Sequence, residues 1–133
     1  MNKYLLLIIV SFLAIGLLSC GKDREDLLRG TWERVNVEDI NDPYSYEWVF
    51  DLGEVTIYRR LKENPSDVAQ INHGFYLLET TPVKTTLKLI DTSNTTWNDR
   101  WDVITLNNNH LIIKLDIVGG VLYFEFEKKS SEI

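Results

Sequence analysis

The sequence predicts an all-β domain in which eight antiparallel strands, entered by a short helical turn, follow one another around an up-and-down barrel. Two observations carry this. Beyond Gly30, apolar and polar residues alternate in runs that recur at intervals of about 8 to 15 residues, and no stretch of useful length keeps a helical period. Between the runs stand short clusters of Asn, Asp, Gly, Pro and Ser, which suit tight connections between antiparallel neighbours and leave no room for crossover helices. At 133 residues the chain has space for one such domain.

The N-terminus reads as an address. Lys3 precedes a nearly unbroken apolar run over residues 4–18 that stops at Ser19-Cys20, the shape of a signal-peptide core. The run is shorter than the roughly 20 apolar residues a membrane span needs. Residues 21–26 are charged and free of large apolar side chains, the composition of a solvated spacer. Residues 23–28 can form one helical turn, with Gly30 as its stop.

The first strand is expected over residues 31–38, where strict alternation from Trp32 sends Arg34 and Asn36 inward, a bulge in the strand being the alternative that turns them to solvent, and Asn41-Asp42-Pro43 ends it. The second, 45–52, places Tyr46, Trp48, Phe50 and Leu52 on one face and Glu47, Val49 and Asp51 on the other. Val55 and Ile57 face inward from the third. The fourth, 68–79, contains Gly74, read as a bulge or bend, with Phe75 and Leu77 as its inward pair. Leu87 and Leu89 point inward from the fifth. The sixth, 99–106, is apolar on both faces; Ile104 and Leu106 are expected inside and Trp101 partly exposed. Leu111, Ile113 and Leu115 mark the seventh strand, and Leu122, Phe124 and Phe126 the eighth. Such a meander buries its apolar face and removes both edges by closing on itself.

Composition excludes several functions. A net charge of -6, with no run of Lys or Arg longer than two, argues against a nucleic-acid partner. Cys20 is the single cysteine, so no intramolecular disulfide forms, and His73 and His110 stand in no metal-ligand spacing or cofactor motif. No nucleophile, base and orienting acid stand in a recognised pattern, so catalysis is not expected.

Leu17-Leu18-Ser19-Cys20 resembles the lipobox of bacterial lipoproteins. The resemblance implies cleavage before Cys20, a thioether-linked diacylglycerol on its sulfur and an acyl chain, such as palmitate, on its new amino group. The chain then divides into a signal peptide (1–19), a lipidated cysteine with charged linker (20–26) and a barrel domain (27–133). Lys22-Asp23-Arg24-Glu25-Asp26 looks like the acid-rich stretch that directs lipoproteins of some Gram-negative bacteria to the outer face of the outer membrane. Gly30-Thr31-Trp32 resembles the Gly-X-Trp signature of lipocalin and calycin barrels. In those, glycine admits the chain closely and tryptophan plugs the closed end beneath a cation from the last strand, which here falls to Lys128 or Lys129. Together these features are similar to the small lipocalin-like lipoproteins of Gram-negative bacteria. Asn107-Asn108-Asn109 stands where classical lipocalins carry a threonine-aspartate loop, and too little chain follows Lys129 for their C-terminal helix.

The resemblance implies a small apolar ligand held in the barrel, and the candidate contacts are Trp32, Arg34, Asn36, Trp48, Phe50, Phe75, Phe124 and Phe126. The same large aromatics are also able to fill so narrow a barrel themselves. The alternative is a tethered module that docks another envelope protein through Tyr58, Tyr76, Trp97, Trp101 and Tyr123, the aromatics assigned outward or to loops.

Overall fold

The computed structural model describes residues 2–130, apart from the side chains of residue 6 and residues 11–22; the lipidation expected at Cys20 and the cleavage point before it lie outside the described residues. A helix, α1 (Lys3–Leu28), leads into β1 (Gly30–Arg34), β2 (Tyr44–Asp51), β3 (Glu54–Leu61), β4 (Val68–Thr80), β5 (Thr85–Ile90), β6 (Arg100–Leu106), β7 (His110–Ile117) and β8 (Gly120–Lys128). The strands pair in sequence order, and β1 closes the barrel by pairing antiparallel with β8, Trp32 opposite Lys128. The expected eight-stranded antiparallel barrel is the observed one.

Gly30 joins helix to barrel at φ +128°, a conformation that L side chains rarely adopt, and a Cβ there would lie 3.0 Å from Cε of Lys128. The helical turn expected at residues 23–28 is the end of a longer helix. The charged stretch read as a solvated spacer continues that helix, and two of its residues reach the barrel: Arg24 Nη1 donates to the Leu106 carbonyl at 3.2 Å and Glu25 accepts from the Tyr76 hydroxyl at 2.6 Å.

Alternation works where the ladders are regular. Val55, Ile57, Leu87, Leu89, Leu111, Ile113, Leu115, Phe124 and Phe126 are all buried, with Trp32, Trp48 and Phe50 among them. It fails where an extra residue resets the parity. Between β3 and β4, Ile57 faces Asn72 while Tyr58 faces Gln70, so Ile71 is bulged. Downstream of that bulge Tyr76 is buried, and Phe75 and Leu77, expected inside, are exposed. A second irregularity, between Val103 and Thr105, turns Ile104 outward. Trp101 and Leu106, on opposite faces by strict alternation, are therefore both buried, and the expected exposure of Trp101 is overturned. Leu52 is also exposed, because it occupies the β2–β3 turn with φ +48°.

Gly74 is not the bulge. An ideal Cβ on it would fall 2.6 Å from the Ile90 carbonyl oxygen and 2.8 Å from Cγ2 of Thr92. The glycine lets the chain leaving β5 pass directly over β4, which Asp91 accomplishes at φ +54°. Thr92, buried, is then tied to Asn98 by three hydrogen bonds: its amide and hydroxyl donate to Oδ1 of Asn98, and Asn98 Nδ2 returns one to its carbonyl.

Among the described residues the outer wall carries one buried carboxylate. Glu47 on β2, placed outward by alternation, is only 5% exposed because Arg60 Nε donates to it at 2.8 Å and Lys129 Nζ at 2.6 Å. Lys129 arrives from just beyond β8, so this cluster straps the β8–β1–β2–β3 seam from outside. Burial alone would raise the Glu47 carboxyl, but the hydrogen bonds and charges of Arg60 and Lys129 outweigh it, and the net direction is downward. A carboxylate whose folded pKa lies below its unfolded value of about 4.3 stabilises the fold above that pH and loses the contribution as pH falls through the folded pKa. Glu47→Gln is expected to cost about 1–2 kcal/mol at pH 7. The difference between wild type and variant should shrink steadily in urea titrations repeated from pH 5 to pH 3; a difference independent of pH would contradict the assignment.

Candidate functional site

The two ends of the barrel differ. At the end where β1 begins, α1 lays Leu28, fully buried, beneath the strands. Trp32 Nε1 donates to the Leu28 carbonyl at 2.7 Å, and Lys128 Nζ donates to the Leu27 carbonyl at 3.0 Å while standing 5.0 Å from the Trp32 ring centroid. Of the two lysines the Gly-X-Trp resemblance offered, Lys128 makes the contact and Lys129 serves Glu47. Burial lowers the pKa of Lys128. Trp32, a candidate ligand contact, is thus the plug of the closed end.

The barrel's middle is filled by its own aromatic rings. Trp48 meets Phe124 and Phe126 edge-on at 5.7 and 5.2 Å, Trp101 lies 4.9 Å from Phe124, and Phe50 packs edge-on against Tyr76 at 5.2 Å. These separations are those of packed aromatic pairs, so no ligand fits at that depth. Phe50 and Phe126 are core, and Phe75 is on the outer wall.

At the opposite end the barrel opens into a cavity of about 460 Å³. Trp48, Phe124, Ile57 and Leu122 form its floor and walls, Trp97 and Asn94 reach in from the β5–β6 loop, and the bulged Ile71 from β4. Trp97 packs tilted against Trp48 at 5.3 Å and edge-on against Phe124 at 5.6 Å. Its position depends on the Gly74 crossing and the Thr92–Asn98 knot, which hold the loop over the mouth. Glu38, Asp39, Asp42 and Tyr46 line the rim, with the Tyr46 hydroxyl donating to Asp42 at 2.8 Å. That bond, after the backbone amide of Tyr44, keeps Asp42 below the usual carboxylate range.

Arg34 sits in this lining, as alternation from Trp32 expected. Its guanidinium carbon lies 3.8 Å from the Phe124 centroid. Its Nε is the one buried side-chain nitrogen or oxygen, among the described residues, that has no hydrogen-bond partner. Burial pulls the pKa of Arg34 down, against the charge of Glu38. Asn36 is elsewhere: β1 stops at Arg34, and the Asn36 amide replaces the ladder, donating to the Tyr123 carbonyl at 2.6 Å and accepting from the Glu125 amide at 2.8 Å. No protein-family model, curated protein or solved structure matches this chain.

Geometry therefore brings Arg34, Trp48 and Phe124 together and adds Trp97, which sequence reasoning placed among exposed aromatics. The docking alternative loses most of its residues, since Tyr76 and Trp101 are buried and Trp97 is inside the mouth. A larger depression, about 690 Å³, lies outside the barrel between Arg24, the β4–β5 loop and β6. It has neither aromatic walls nor an orphaned donor, so the mouth is the better candidate. Among the described residues no cluster of His, Cys, Asp and Glu is arranged to hold a metal ion, and no helix is long and apolar enough to cross a membrane.

Proposed function

We propose that this chain is a lipid-anchored, lipocalin-like binding protein of a Gram-negative outer membrane, and that it takes a small ligand in the mouth of the barrel. The observation that carries the binding reading is the unpartnered Nε of Arg34 beside an aromatic-walled cavity. A buried donor without an acceptor costs about 1–3 kcal/mol, and a ligand that brings an acceptor recovers it. About 460 Å³ falls in the range of small-molecule sites. The ligand has a flat apolar body, to lie against Trp48, Trp97 and Phe124, and one acceptor group for Arg34. The packed interior keeps it shallow, so one end remains in water. Tethering follows from the lipobox-like residues before Cys20 and the apolar run preceding them.

The test uses 8-anilinonaphthalene-1-sulfonate, whose aromatic body and anionic group match the site. It is expected to bind at one site and to quench tryptophan emission. Arg34→Met, which keeps the stem over Phe124 but removes every donor, should weaken binding about tenfold or more, the value of a charge-assisted hydrogen bond. Equal affinity for both chains would sink the role of Arg34, and native mass spectrometry of the protein from an envelope extract would then show whether anything occupies the mouth.

A further inference from the structure

We infer that the closed end of the barrel rests on the lipid surface, with Leu52 and Val83 dipping into it, so that the mouth faces away from the membrane; this rests on the tether proposed above. Two hairpin tips at that end carry apolar residues where water would favour polar ones. Leu52 and Gly53 form the β2–β3 turn with φ values of +48° and +83°. Positive φ at both positions is the type I′ pattern, for which Asn-Gly is the favoured pair. A leucine there is conformationally costly, and its side chain is 75% exposed. Val83 tips the next connection, the Thr81–Lys84 turn, and is 94% exposed. Phe75 and Leu77 continue the apolar surface outward from β4: Phe75 pairs with Glu54, and the Tyr76 amide between them donates to the Gly53 carbonyl of the Leu52 turn.

The occupant is indicated by where the chain goes. The helix carrying the apolar run of residues 4–18 leaves from this same end, not from the mouth. From Cys20 to Leu28 the helix takes eight residue steps, about 12 Å at 1.5 Å per residue, and Arg24 and Glu25 pin that segment to the barrel. A lipidated Cys20 therefore keeps the closed end within about 12 Å of the lipid headgroups, and the barrel has no long leash on which to drift away. The third hairpin at this end, Asn107-Asn108-Asn109, is polar, so contact is made by the β2–β5 side and the barrel leans toward it.

The full chain, made in a Gram-negative host and reconstituted in phosphatidylethanolamine–phosphatidylglycerol vesicles with nitroxide-bearing acyl chains, tests this. A nitrobenzoxadiazole label is placed through Leu52→Cys, Val83→Cys, Asn108→Cys or Val118→Cys, the last being an equally exposed apolar tip beside the mouth. Labels at 52 and 83 should be quenched at least about twofold more than those at 108 and 118, as interfacial burial requires. Leu52→Asn, which the turn geometry welcomes, should reduce quenching at 83. Equal quenching at 83 and 118 in a chain whose Cys20 refuses the dye overturns the orientation alone. A parent chain whose Cys20 takes the dye overturns the tether and the orientation with it.

Discussion

Trp32→Ala is expected to remove about 4 kcal/mol of stability, the middle of the range for a large aromatic cut from a core. Three losses coincide at this residue. Its ring is fully buried at the closed end, so truncation leaves a cavity between the strands and the helix. The Leu28 carbonyl loses its indole donor, and Lys128 loses the ring beside it while its ammonium remains held against the Leu27 carbonyl. For a domain near 100 residues this corresponds to a fall in melting temperature of roughly 15–30 °C. Trp32→Phe separates the terms: it keeps most of the packing and drops the hydrogen bond, and should cost only about 1–2 kcal/mol. Guanidinium unfolding followed by circular dichroism measures both. Equal costs for the two variants would mean that the indole N–H, not the plug, holds the end together.

Gly74→Ala is expected to cost about 3 kcal/mol although it adds a single methyl group. The new carbon would meet backbone at 2.6 Å, where no rotamer change helps, and the Thr92 methyl and amide lie 2.8 and 3.0 Å away. Either β4 and β5 separate or the chain after β5 lifts off. Because Thr92 is locked to Asn98, lifting it moves the loop that presents Asn94 and Trp97 to the mouth. The substitution should therefore weaken binding of the anilinonaphthalene probe more than its stability cost alone explains. A destabilised variant with unchanged probe affinity would show that the loop and the mouth are independent.

Much of this fold is legible in the sequence because most strands keep one unbroken alternation, as Leu111, Ile113 and Leu115 do on β7. What escapes is any step that depends on a partner strand. Ile71 and Ile104 are each an extra residue relative to a neighbour, and nothing in their own stretch marks them. Tyr76 and Trp101 consequently read as outward when they are core. Glu47 shows the same limit in charge: its burial depends on Lys129, 82 residues away. In the site, Arg34 was legible by counting from Trp32. Trp97 was not, because a tryptophan in a polar loop has no period, and only the crossing at Gly74 brings it over the mouth. Asn36 obeyed the count until its own amide took over the ladder.

The pairing of β1 with β8 also sets the order in which the barrel can form. Trp32 and Lys128, partners across the seam, are 96 residues apart, whereas the other adjacent strands are joined by short connections. Closing so distant a pair is entropically slow. A chain emerging from the ribosome can assemble seven strands as an open, curling sheet, but the seam waits for the last strand. Until then Glu47 lacks Lys129 and Trp32 lacks Lys128. The last strand made is thus the one that completes the barrel, and a chain cut short before β8 would leave β1 and β7 as two open edges.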